Sequence, residues 1–258
     1  MSTVTTSPAG RMAALARAEL TLLARSKSVL VTAVLVPLVM PFTVRSTVKE
    51  MDLASAGLDI GLVVLPASIG FSLLFAVYGA LVGVLAARRE ELVLKRLRTG
   101  ELRDGEILAG ASLPAVATGL VQSMVLVAAC TAVLHVAAPE APHWAVLGVL
   151  TGLVLCAALA ALTASFSRTV ESAQVTSLPF ILVSMVGSGL MVPTELFPDR
   201  VAAVCGLLPL SPVVTLVRGG WSGTLSTGDA VQALVTALAW IVTAVFAVRR
   251  WFRWEPRR

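Results

Sequence analysis

Charge is what this sequence has least of. Asp, Glu, Lys and Arg make up 14% of its 258 residues, whereas soluble domains run near one quarter. Histidine is almost absent: His135 and His143 are the only two, and neither belongs to an HExxH pattern that would hold zinc. Three cysteines, Cys130, Cys156 and Cys205, show no metal or disulfide spacing. Cys130 and Cys156 fall within apolar runs and read as packing residues. No GxSxG elbow and no GxxxxGK[ST] phosphate loop occurs. These gaps weigh against an intramembrane hydrolase and against a nucleotide site in this chain. The apolar runs also lack interior acidic residues, which an ion-coupled transporter usually keeps at the midplane.

What is present is hydrocarbon. Hydrophobic residues make up 57% of the chain, and the mean hydropathy is +0.89. The runs are too long and too uniformly apolar for barrel strands, so an all-α integral membrane protein is expected. Six spans are predicted, at about 28–44, 60–87, 107–137, 143–166, 175–192 and 230–248. Residues 1–10 are expected to be disordered, and no cleavable signal peptide is expected. Residues 11–27 carry Met12, Ala16, Leu20 and Leu23 on one stripe with Arg11, Arg17 and Arg25 off it, the pattern of an interfacial helix. Residues 11–248 read as one transmembrane unit, and 249–258 as a basic tail with Trp251 and Trp254 at the interface. Pairs of small residues four apart, Gly79 with Gly83 and Ser184 with Ser188, suit close helix approach.

The basic residues sort by side. The N-terminus, 88–106, 167–174 and the tail hold 16 Lys and Arg, against 4 in 45–59, 137–142 and 193–229. The positive-inside rule therefore predicts that both termini are cytosolic. The net charge of +5 reads as this anchoring and not as nucleic-acid binding. Arg outnumbers Lys 17 to 3, a bias associated with GC-rich bacterial genomes.

Within that side, Arg88 to Glu106 holds eleven charged residues in nineteen. Numbered as a helix from Glu90, Val93, Leu94 and Leu97 share one stripe, and Glu91 and Lys95 form an i,i+4 pair beside Arg98. Gly100 suits a left-handed stop, and Asp104 a cap for the next helix. The reading is a short amphipathic helix between spans, with Glu90, Glu91, Lys95, Arg96 and Arg98 available at its rim.

Between the fifth and sixth spans, Pro193, Pro198, Pro209 and Pro212 break an apolar stretch into short pieces. Two short helices, near Val201–Leu208 and Val213–Val217, are expected to dip into the outer leaflet and return. Arg218, Arg200, Glu195 and Asp199 would stand at the outer rim.

These features in this order resemble the permease subunit of type-2 ABC exporters, over roughly residues 11–248. The likeness rests on the surface helix, on the block LVLKRLRTGELRDGEILAG, on Gly187, Gly189, Pro193, Phe197 and Pro198, and on LLPLSPVVTLVR. The resemblance implies that the 90–100 helix is a coupling helix, and that Pro198, Pro209, Pro212 and Arg218 belong to a re-entrant hairpin. It implies a separate cytosolic ABC ATPase in two copies that carries the ATP and Mg, no cofactor or metal bound by this chain, and a second permease copy or sister permease. A pathway between the two permeases would be lined by Phe71, Tyr78, Phe180 and Met185, or residues like them. Such a lining suits hydrophobic or amphipathic cargo, so drug, antibiotic or lipid-like efflux across the bacterial cytoplasmic membrane is expected. An ion-coupled secondary transporter, or an intramembrane enzyme, is the alternative.

Overall fold

A computed structural model describes residues 59–99, 103–252 and 254, with a few isolated positions between 10 and 46. The expected interfacial helix 11–27 and first span 28–44 lie largely outside the described residues. So do Gly100 and the end of the tail. Every regular element among the described residues is helical. Five helices are long and apolar enough to cross a membrane: Ile60–Glu90 (α1), Asp104–Leu134 (α3), Pro142–Phe166 (α4), Val170–Gly187 (α5) and Thr227–Trp251 (α8). Val93–Arg98 (α2) joins α1 to α3, while Asp199–Gly206 (α6) and Ser211–Ser222 (α7) form a bent pair before α8.

Helix α1 is the axis of the bundle. Asp59 Oδ1 accepts from the amides of Gly61 and Leu62 at 2.7 and 3.3 Å and so starts it. Its 31 residues span roughly 46 Å at 1.5 Å per residue. Leu65, Leu73, Leu74, Val77, Tyr78 and Leu81 are fully buried, as expected of a helix apolar on nearly every side. Leu73–Gly79 is wound as a π-helix, a feature that periodicity does not reveal. One buried polar pair ties α1 to α3: Ser72 Oγ donates to Gln122 Oε1 at 2.6 Å.

Helix α4 makes the second axis, and α7 lies against it at very short range. A Cβ added at Gly148 would stand 3.0 Å from Leu216 Cβ, and one at Gly152 would stand 2.8 Å from Val213 Cγ1. A Cβ at Gly220 would strike the backbone of Ala145. Three glycines thus let two backbones meet. The expected Ser184–Ser188 pair is inward-facing, and Ser188 Oγ lies 3.1 Å from Ser211 Oγ. The Gly79–Gly83 pair is open at Gly83, where nothing described lies within 4 Å of an added Cβ.

Several expected boundaries need correction, among them the end of the third span, at Leu134 and not 137, and the end of the fifth, at Gly187 and not 192. The loop 167–174 shrinks to three residues, because α5 starts at Val170. Thr169 Oγ1 accepts from the Ser172 amide at 3.1 Å and Ser172 Oγ accepts from the Thr169 amide at 2.8 Å, so these polar residues cap the helix and do not precede it as coil. Asp104 is the first residue of α3 and not its cap. Arg103 holds the cap position, with its amide donating to Glu106 Oε2 at 2.8 Å.

The contacts sort helix ends into two sets. Phe166 at the end of α4 lies 6.3 Å from Trp251 at the end of α8, and Arg98 stands 5.2 Å over Trp254. The end of α1, α2, the start of α3 and the start of α5 share this basic end. The start of α4 and the end of α7 share the other, where the Ala141 amide donates to Gly220 O at 2.9 Å.

Candidate functional site

At the basic end the chain does not run as one helix from Glu90 to Gly100. Glu90 closes α1, Glu91 sits in a turn, and Leu92 takes a left-handed φ of +58° before α2 begins at Val93. A leucine in that region is strained, so the break is held by its surroundings. Leu92 interrupts the expected i,i+4 register of Glu91 with Lys95; the Glu91 carbonyl instead accepts from Arg96 Nη2 at 3.3 Å. The apolar stripe is not freely on offer either. Leu94 is fully buried, while Val93 and Leu97 are half-buried, and α2 packs on α1 and α3. Lys95, Arg96 and Arg98 remain exposed. Arg98 Nε meets Asp104 Oδ1 at 3.1 Å, which ties the end of α2 to the start of α3.

Arg89 and Glu90, part of the charged block that follows the second span in sequence, each have a specific partner in the fold. Arg89 is 1% exposed. Its Nη1 donates to Ala164 O at 2.7 Å and its Nη2 to Ser167 O, so a cation sits on the carbonyls that end α4. Glu90 Oε1 accepts from the Val170 amide at 3.2 Å, so an anion sits on the first amide of α5. Adjacent residues of opposite sign thereby grip the two ends of one tight turn, each matched to its helix dipole. Glu90 thus belongs to the last turn of α1 and not to α2. The signal available in sequence was its position in the last turn of a long apolar run.

At the other end, α6 and α7 are bent by 103° at the break between them. Along α7, Val213, Val217 and Gly220 lie beside Gly152, Gly148 and Ala145 of α4 in turn. The pair's tip therefore lies near Gly152, roughly 15 Å along α4 from Pro142. Irregular backbone at that depth needs protein partners. Ser211 Oγ donates to Cys205 O at 2.6 Å and Trp240 Nε1 to Leu207 O at 2.9 Å. Pro209 is buried at the tip and Pro212 opens α7, while Pro198 sits exposed before α6. Arg218 is half-buried, with Nη2 3.6 Å from where a Cβ on Gly189 would stand, and Gly189 has φ +74°. Arg200 and Asp199 are exposed, as expected of a rim.

The residues expected to line a pathway separate. Tyr78 is fully buried, with its hydroxyl 3.0 Å from Thr163 Oγ1 and its ring centroid 4.5 Å from that of Phe180. Phe71 is buried and stacks on Phe75 at 6.3 Å. Phe71 and Tyr78 are thus core residues of one subunit, while Phe180 and Met185 are half-buried. On α1, Phe75, Ala80 and Val84 are exposed, as are Val175, Leu178, Leu182, Val183 and Val186 on α5.

A short helix between spans at the basic end and a pair of short apolar helices before the last span are elements that the sequence motifs led us to expect. The model of the ABC-2 type transporter family matches residues 11–221. No curated protein matches the chain. The family match covers most of the chain and all of these elements except α8, so the chain belongs to the ABC-2 type transporter family and is a multi-pass membrane permease, a transport component and not itself a catalyst.

Proposed function

We propose that this chain is the membrane half of an ATP-driven exporter in the bacterial cytoplasmic membrane. The basic end faces the cytosol, and both termini lie there. Residues 11–248 act as one permease unit, followed by the basic tail 249–258. Two copies of a separate ABC ATPase bind the ATP and Mg, and a second permease copy or a sister permease completes the pathway. The cargo is hydrophobic or amphipathic, of the drug, antibiotic or lipid-like class.

The observation that carries this reading is the linkage at the basic end. Lys95, Arg96 and Arg98 are exposed on a helix whose Leu94 is locked into the bundle. Arg89 and Glu90 bind the facing ends of α4 and α5. A push on α2 from a soluble partner would thus reach four spanning helices without passing through a flexible loop. The cargo path then follows the open strip of Phe75, Ala80 and Val84 beside α5, in place of the buried Phe71 and Tyr78.

The test is co-purification with a co-expressed candidate ATPase. Charge reversal at Lys95→Glu with Arg96→Glu, and separately Leu97→Asp, should lower complex recovery while the permease alone still inserts. Complex recovery and cargo-stimulated hydrolysis equal to wild type in both variants would remove α2 as the contact. Failure of any ABC ATPase to associate would remove the exporter assignment.

A further inference from the structure

Between α3 and α8, with α4 as its floor, lies an open groove of about 890 Å3. Its axis runs from Arg103 to Val116 on α3 and from Ala161 to Val154 on α4. On α3 that is roughly 20 Å at 1.5 Å per residue, close to the depth of one leaflet with its interfacial zone, given a hydrocarbon core of ~30 Å for the whole bilayer. The chemistry is graded along this length. At the basic end stand Arg103 and Arg249, both exposed, with Phe252 and Trp254 beside them. Below them the floor is Ala157, Ala158 and Ala161, and the walls are apolar side chains such as Leu108, Val116 and Val245. The alanines leave room where larger side chains would fill the groove. Val154 and Val245 are exposed at its lower margin, so the groove opens sideways as well as at its end.

Two carboxylates share the rim, and both are engaged. Asp104 pairs with Arg98, and Glu106 accepts from the Arg103 amide. Arg103 and Arg249 form no ion pair among the described residues. Counting Arg98, three guanidiniums stand against two carboxylates, so the rim carries a net positive charge, and the slot beneath it is apolar and of leaflet length. We propose that this groove holds one anionic phospholipid, with its phosphate at Arg103 and Arg249 and an acyl chain along the alanine floor. Basic pockets between spanning helices on the cytosolic side recognise such headgroups. Placing the lipid in the cytosolic leaflet rests on the orientation proposed above; the binding itself does not.

Native mass spectrometry of the full chain in detergent, titrated with dioleoylphosphatidylglycerol or dioleoylphosphatidylcholine, tests this. The anionic lipid should be retained roughly tenfold more tightly than the zwitterionic one. Arg103→Gln with Arg249→Gln should abolish that preference, and the same pair changed to Lys should restore most of it. Ala158→Phe, which fills the floor and leaves the rim charge intact, should weaken both lipids. Arg168→Gln, an exposed cation away from the groove, should change nothing. Equal retention of the two lipids by wild type would overturn the proposal. So would an undiminished preference in the Gln pair, an equal loss in the Arg168 control, or displacement by inorganic phosphate, which would mark a simple anion site. Because binding is read in detergent without ATPase or cargo, its failure would leave the transport assignment standing.

Discussion

Arg89 Nη1 donates to Ala164 O at 2.7 Å, across 75 residues of sequence, from a side chain that is 1% exposed. A charge buried so fully persists only where it is hydrogen-bonded. Here it satisfies carbonyls that the end of α4 leaves open. Arg89→Ala should therefore cost about 2–3 kcal/mol, the range for hydrogen bonds to a charged group, and lower the detergent Tm by roughly 5–10 °C. Arg89→Lys should fall between, because an ammonium keeps the charge but cannot fork to two carbonyls. A Tm for Arg89→Ala equal to wild type would show that the end of α4 does not depend on this residue.

The tip of the bent pair depends on an indole. Trp240→Phe keeps an aromatic ring but removes the donor to Leu207 O. An unsatisfied carbonyl at that depth costs about 1–3 kcal/mol. The native thiol of Cys205, beside the tip, reports on it directly, since Cys130 and Cys156 are buried. Maleimide labelling at Cys205 should accelerate in Trp240→Phe, and unchanged labelling would mean the tip is held without that bond.

Backbone approach at the α4–α7 crossing predicts a pair of opposite outcomes. Gly220→Val would drive a side chain into Ala145 and should reduce folded yield sharply. Gly83→Ala meets nothing described within 4 Å and should leave folded yield and Tm as in wild type. Equal tolerance at both positions would contradict the tight crossing.

Orientation is tested by two engineered thiols in a background lacking the native cysteines. Thr99 and Ser226 are both exposed and lie at opposite ends of the bundle. A cysteine at Thr99 should react in intact cells only with membrane-permeant reagents, and one at Ser226 with impermeant ones too. The reverse pattern would invert the proposed topology and remove α2 as a cytosolic contact.

The sequence by itself determined the class of molecule and its coarse order. Scarce charge and long apolar runs require helices that cross a membrane, since only they satisfy their own backbone in hydrocarbon. The four prolines and the apolar fragments between 193 and 218 marked two short helices where α6 and α7 stand. Tertiary structure decided how the side chains are used. Helix α1 is apolar nearly all round, so no periodicity could say that Phe71 and Tyr78 face inward while Phe75 and Val84 face out. Thr169 to Ser172 read as a polar loop because capping residues and loop residues are chemically alike; what differs is whether the next backbone amide is in reach. Arg89 and Glu90 read as solvated charges for the same reason. Their partners, the last carbonyls of α4 and the first amide of α5, are backbone groups that carry no mark in sequence and exist as open donors and acceptors only once those helices end beside α1.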